Sequence, residues 1–254
     1  MKIVACYKIV PDADKIETKQ DRTLSIDLSA VEIGQYDLRA VEEAAKIAEI
    51  TDGIAVALTV GGDAVANSKM KKAILSRGPS EMFAVQDELL AFADSNQTAK
   101  ALKAAICKMD DVDLVICGEG SSDQYNQQVG NMLGGILGWT TVNAVSKIEV
   151  VNDKLKIERS VEDGVEIFEI NLPAVITVTS DINVPRIPSM KDIMAAGKKP
   201  ATIWSKDDIG GLSAAASNVK GVFAPEEKER LKNVIEIADE EGINAFVEQI
   251  RKAL

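Results

Sequence analysis

Residues 112–130 read VDLVICGEGSSDQYNQQVG: an apolar run, a loop of small and polar residues, then an amphipathic stretch. Gly118, Gly120, Ser121 and Ser122 leave room for backbone N–H groups to approach a bound anion, and a helix start favours negative charge. Gln127 and Gln128 can add side-chain amide donors without adding charge. This set suits the phosphates or ribose of an adenine nucleotide. It is not a G-x-G-x-x-G loop, because position 123 is Asp, and no Gly-Lys-Ser/Thr follows. A plain turn with a capped helix uses the same residues, and Asp123 then reads as the N-cap.

A second cluster lies at 185–200, PRIPSMKDIMAAGKKP. Arg186, Lys191, Lys198 and Lys199 stand there with Ile187, Met190, Ile193 and Met194 between them. A short helix offering an adaptable apolar residue inside a basic collar is a docking device. The alternative is a helix packed on its own sheet with solvated lysines. Lys8, two residues after Cys6, is placed either to meet a phosphate or flavin or to point into solvent. The acidic groups Glu42-Glu43, Glu226-Glu227 and 239–241 read as solvated charge on polar faces.

What is missing is equally informative. The chain contains no histidine. Ser-His and Cys-His catalytic pairs are therefore excluded, as is any metal site containing His. No catalytic acid, base or metal site is assigned. A formal charge of −11 and 4% aromatic residues argue against nucleic-acid binding. No apolar stretch is long enough to span a membrane, and the charged opening MKIVACYKIV does not read as a signal peptide. Cys6, Cys107 and Cys117 are odd in number, with two inside apolar runs, as in a reduced cytoplasmic protein. A chain that binds, positions or docks fits these exclusions.

The elements that must position these groups alternate between strand and helix. Strands are predicted at 2–10, 53–60, 81–85 and 112–117. Helices are predicted at 37–50, 63–77, 95–109 and from about 124 to 138, with Asp63 capping the second. This order predicts a doubly wound, mostly parallel α/β sheet of the Rossmann-like, adenine-nucleotide α-hydrolase-like kind. Ligands of such sheets sit beyond the carboxyl ends of the strands. Short alternating runs at 146–151, 154–159 and 166–172 predict antiparallel hairpin additions, with one more strand at 174–179. A helical centre is predicted at 189–196. Residues 1–205 read as the nucleotide-binding domain and 206–254 as a linker and C-terminal arm. The arm's predicted strand is 233–237. Its last helix, from about Gly242, carries Phe246, Ile250 and Leu254 on one stripe, to fold back or to embrace another subunit.

Taken in order, these motifs resemble the electron-transfer flavoprotein β family over nearly the whole chain. The carriers are CYKIVPD at 6–12, AVEEA at 40–44, VDLVICG at 112–118 with QQVG at 127–130, IERSVEDGVE at 157–166, LPAVITV at 172–178, and PRIPSMKDIMAAGKKP. GQYDL, LSRGP and IPSMK are most similar to the bacterial Fix and carnitine-type branch. The resemblance implies a β subunit paired with an α subunit that holds FAD. It also implies acyl-CoA dehydrogenase-type donors, a quinone-linked or other acceptor, and AMP or a second FAD in β. Cys6 and Val60 fall where the family touches adenine through backbone. Gly118, Asp123, Gln124, Gln127, Gln128 and Val129 fall on its nucleotide loop. Met190 takes the apolar anchor position, usually leucine, with Arg186, Lys191 and Ile193 beside it. Departures are Gly34-Gln35 in place of an Asn, Ala13 in place of a Tyr, and Ser160 in place of a carboxylate that meets the α subunit. QQVG is closer to the loop of members with FAD in β.

The competing reading is a free-standing adenine-nucleotide-binding regulatory protein of the stress-protein type. A linker and arm favour the subunit. An adenylating enzyme would need a Ser-Gly-Gly-type loop after the first strand, where this chain has Val10-Pro11-Asp12.

Overall fold

Apolar runs too short for helices and bounded by turn residues become the strands of one sheet, and the longer amphipathic segments between them cover its two faces. The computed structural model describes residues 1–27, 29–152, 154–217, 219–226, 234 and 239–253. The chain opens with β1 (Lys2–Cys6), β2 (Ile9–Pro11), β3 (Glu17–Thr18), β4 (Leu24–Ser25), β5 (Val31–Ile33) and α1 (Gln35–Ile50). It continues through β6 (Ile54–Gly61), α2 (Ser68–Leu75), β7 (Glu81–Gln86), α3 (Ser95–Lys108), β8 (Leu114–Gly118) and α4 (Val129–Leu137). There follow β9 (Thr140–Val151), β10 (Lys154–Val161), β11 (Gly164–Asn171), β12 (Ala174–Val178), α5 (Met190–Ala196), β13 (Ala201–Trp204) and α6 (Glu240–Ala253).

Nine strands form the main sheet in the order β11-β10-β9-β12-β8-β1-β6-β7-β13. From β9 to β13 all neighbours are parallel, and the β9–β10–β11 hairpins are antiparallel. Two small antiparallel sheets, β2-β5 and β3-β4, stand apart from it. Central strands are buried on both faces, as parallel strands under helices must be. Ile3 and Ala5 pack with Ile47 of α1 and Ile74 of α2, while Val4 and Cys6 pack with Leu102 of α3 and Leu133 of α4. This is a doubly wound α/β fold. From β1 the chain winds outward to β6 and β7, then crosses to β8 on β1's other side. The topological switch point lies between β1 and β8.

Several boundaries differ from the sequence expectation. Residues 2–10 are not one strand: the Lys8 N–H bonds the Asp37 carboxylate at 2.8 Å, and the chain leaves the sheet there. The helix expected from Asp63 to Arg77 is broken. Asp63–Ala66 is a 3-10 turn, and the Asn67 side chain caps α2 by accepting from the N–H of Lys69 and Met70. The helix expected from Gln124 begins only at Val129. Expectation missed β13, a four-residue edge strand whose Trp204 stacks on Phe83 with centroids 4.8 Å apart. Its length and half-exposed pattern leave little periodicity to read. Apart from Val234, the strand expected at 233–237 lies outside the described residues, as does Leu254 of the apolar stripe. Among the described residues no helix is long and apolar enough to cross a membrane.

Candidate functional site

The strand ends at the switch point collect most of the residues singled out by the loop's spacing or by the family resemblance. Cys6 ends β1, Val60 lies near the end of β6, and Gly118 ends β8. Cys6 is buried on the α3/α4 face and Val60 is half-buried beside it. The loop 119–128 then rises from β8. Its first N–H, from Glu119, donates to the carbonyl of Val178 at 3.0 Å and fastens the loop to β12. Gly118 has no room for a side chain. A Cβ there would lie 2.7 Å from Asp37 Oδ1 and 2.8 Å from Tyr36 Cβ, so α1 seats directly on the strand end.

Asp37, Tyr36 and Tyr125 were not anticipated. Asp37 lies in the first turn of α1 on the same stripe as Val41, Ala44 and Ala48, and it is buried. A carboxylate in an apolar register was the available signal. Burial pushes its carboxyl up to about 7, against the opposing influence of the Lys8 and Gly118 N–H groups and the Lys8 charge. Tyr36 and Tyr125 pack with ring centroids 5.2 Å apart, tying the loop to α1.

Lys8 reaches across the switch point. Its ammonium lies 2.8 and 2.6 Å from the two oxygens of Asp123. Burial works to raise the Asp123 carboxyl, but Lys8, Ser121 and the Gln124 N–H together hold it below the usual range. Asp123 is therefore the loop's partner for Lys8. It is not the helix cap that sequence suggested, because the N-cap is Gln128 and makes no side-chain cap bond. The first turn of α4 carries no acid either. Its N–H groups thus lack a side-chain acceptor, the condition under which a helix start receives an anion.

Between Gly118 and α4 the loop holds two non-glycine residues in the left-handed region, Tyr125 at φ 49 and Gln127 at φ 55. Side chains adopt this region reluctantly, and such residues cluster where a loop is shaped for a ligand. Gln124, Gln127 and Gln128 are exposed at the mouth, and Val129 is half-buried beneath them. Gly130 is buried: a Cβ would come within 2.3 Å of Thr177 Cγ2, so α4 starts in close contact with β12. At the strand ends the buried Tyr7 Oη and Thr59 Oγ1 have no hydrogen-bond partner among the described residues. Uncharged amides, an open helix start, and a carboxylate already matched by an ammonium fit the phosphates and ribose of an adenine nucleotide. Among the described residues there is no His/Cys/Asp/Glu cluster that could hold a metal ion.

The second cluster starts against α1, where Arg186 meets Glu42, and continues into α5, which packs on α2. Met190 and Met194 are each 73% exposed, and Ile187 is 94% exposed. Ile193 is partly covered, and Ala196 is fully buried. Lys191 and Lys198 point outward, but Arg186 and Lys199 do not belong to an open basic collar. Arg186 donates from Nε to Glu42 Oε2 at 2.8 Å and from Nη1 to Glu49 Oε1 at 2.7 Å. Lys199 donates to the carbonyls of Leu75 and Pro79. The reading of Glu42-Glu43 as solvated charge is overturned, because both are buried. Glu42 faces Arg186, and Glu43 accepts from Asn183 Nδ2 at 3.0 Å while burial pushes its carboxyl up. Their partners come from about 140 residues later in the chain.

The chain matches the electron transfer flavoprotein domain over residues 23–209, which takes in α1, the crevice loop, the hairpins and the exposed apolar segment. The match covers well over half of the sequence, and the parallel sheet with its switch-point crevice accords with it. The chain belongs to the electron transfer flavoprotein family, whose work is flavin-related electron transfer.

Proposed function

We propose that this chain is the β-type subunit of a heterodimeric electron-transfer flavoprotein of the Fix and carnitine-type branch. In this reading it binds an adenine nucleotide, either AMP or the adenylate half of a second FAD, in the crevice between β1 and β8. The observation that carries the reading is the start of α4, with no side-chain cap and no acid in its first turn, at the topological switch point. Cys6 and Val60 supply backbone at the strand ends for adenine. Gly118 lets α1 seat on the end of β8 and so sets where the loop leaves the sheet; Gln124, Gln127 and Gln128 donate amide hydrogen bonds, and Val129 brings the first helical N–H groups to the phosphate. Asp123 holds Lys8 in place beside them.

The flavin, when bound, supplies the electron chemistry, and the protein supplies binding, orientation and exclusion of water. No side chain here needs to act as a catalytic acid or base. Met190 and Ile193, with Lys191 beside them, form the contact for an acyl-CoA dehydrogenase-type donor, and electrons pass on to a quinone-linked or other acceptor. Arg186 belongs to the same segment. An apolar tip with a sparse charged rim suits transient encounters. Residues 206–254 serve as linker and arm over the α subunit. In support, α6 leaves Ile243, Phe246, Val247 and Ile250 exposed along one face. Three free cysteines fit a reducing cytoplasm.

Co-expression with an electron-transfer flavoprotein α subunit tests the reading. A single co-eluting, yellow αβ species is expected. Separate elution of the two chains without flavin absorbance would sink it.

A further inference from the structure

We infer that Arg186, held by Glu42 and Glu49 of α1, is a positioning residue that fixes how the segment 183–199 presents its apolar side chains to a donor. The inference rests on the docking reading above. It reverses the role that charge alone suggests for Arg186, from a group offered to the partner to a clamp turned into the fold.

The segment is tied at both ends and bare in the middle. At its start, Asn183 Nδ2 donates to the Arg39 carbonyl and to Glu43 Oε2, both at 3.0 Å, and Arg39 Nη1 returns a bond to the Asn183 carbonyl at 2.6 Å. Arg186 then gives Glu42 its backbone N–H at 3.0 Å, Nε at 2.8 Å and Nη2 at 3.2 Å, with Nη1 going to Glu49. At the far end Ala196 is buried, and Lys199 Nζ donates to Leu75 and Pro79 carbonyls at 2.7 and 2.6 Å. Between these ties Ile187, Met190 and Met194 face outward. A short segment left loose would bury such side chains or pay the entropy of becoming ordered on binding. Held rigid, it offers them with that entropy already removed.

The chemistry of the clamp is specific. The Glu42 side chain is 7% exposed, so its charge needs a partner that satisfies both oxygens. The guanidinium forks to two carboxylates, Glu42 and Glu49, while the Arg186 backbone N–H also donates to Glu42. A lysine ammonium keeps the charge but not the fork.

The test uses the αβ dimer with an acyl-CoA dehydrogenase reduced by its acyl-CoA as donor. Arg186→Lys is expected to raise the donor KM about tenfold with little change in kcat, and to speed amide exchange across 184–196 in the free dimer. Glu42→Gln should raise KM in the same direction. A charge collar predicts the opposite: Lys serves as well as Arg, and removing the Glu42 charge lowers KM. Either of those results overturns the clamp. Should Glu42→Gln not fold, Glu49→Gln, at a side chain 62% exposed, carries that arm. A smaller KM rise is expected there, and an unchanged KM counts against the clamp. Met190→Ala separates the two readings. If it leaves KM unchanged, the docking reading itself fails. If it is impaired while Arg186→Lys behaves as wild type, only the clamp fails.

Discussion

The Lys8 ammonium lies 2.6 Å from the Asp123 carboxylate and joins the loops that leave β1 and β8. With side chains 42% and 24% exposed, the pair adds little to stability, on the order of 0–1 kcal/mol. Its consequence is electrostatic. Asp123 is a carboxylate in the loop proposed to hold the nucleotide's phosphates, and Lys8 cancels its charge.

Lys8→Ala should therefore weaken AMP binding by the αβ dimer by about tenfold, because it exposes the phosphate to an unmatched Asp123. Adding Asp123→Asn to that variant should recover most of the loss. Calorimetric titration of the two single variants and the double variant checks the coupling. Additive losses would show that the two residues act independently.

Gln128 is the N-cap of α4. A Gln128→Glu change places an anion at a helix start, which should stabilise the fold by roughly 0.3–1 kcal/mol. The same charge repels a bound phosphate. Stability in urea should thus rise slightly while nucleotide affinity falls, two effects of opposite sign from one substitution. Unaltered nucleotide occupancy would count against the loop.

Gly130→Ala places a methyl group 2.3 Å from Thr177 Cγ2, where β12 and the start of α4 leave no space. Overpacking of this kind costs typically 1–3 kcal/mol. The expected outcome is a lower Tm together with weaker nucleotide binding. Gly135→Ala, on the same helix with nothing within 4 Å of the added methyl, should leave nucleotide binding unchanged and raise the Tm slightly, because alanine favours the helix by roughly 0.5–1 kcal/mol over glycine.

Asp37 should leave a signature in the pH dependence of stability. Burial raises its folded value to about 7 from the ordinary 3.8, so between those values the folded chain holds a proton that the unfolded chain has released. Its favourable contribution is complete below the unfolded value and is lost as pH rises through the folded one. Asp37→Asn removes this dependence. Relative to wild type, the variant's stability should rise from about pH 4 to pH 7, with a limiting slope of about 1.4 kcal/mol per unit. A pH-independent difference would show that Asp37 ionises normally.

The fold was largely legible because parallel strands buried on both faces read as continuous apolar runs, and β1, β6 and β8 are such runs. That a loop follows β8 was legible because small and polar residues end the apolar run at Gly118. What escaped notice depended on partners distant in sequence. Glu42 and Glu43 carry no local mark of burial, since Arg186 and Asn183 arrive only after the chain has crossed the sheet. Asp37 takes its environment from the Lys8 and Gly118 backbone. The start of α4 was misplaced by five residues, since helical periodicity does not register the left-handed turns at Tyr125 and Gln127. Asp123 looked like a cap because nothing local pointed to Lys8.

Whether this chain holds an adenine nucleotide of its own between β1 and β8 is decided by releasing the ligands from purified αβ dimer and counting them. An adenine nucleotide is expected in addition to the FAD of the α subunit, as either AMP or a second FAD. Its occupancy should fall in Gln128→Glu. A dimer carrying the α-subunit FAD and nothing else would contradict it.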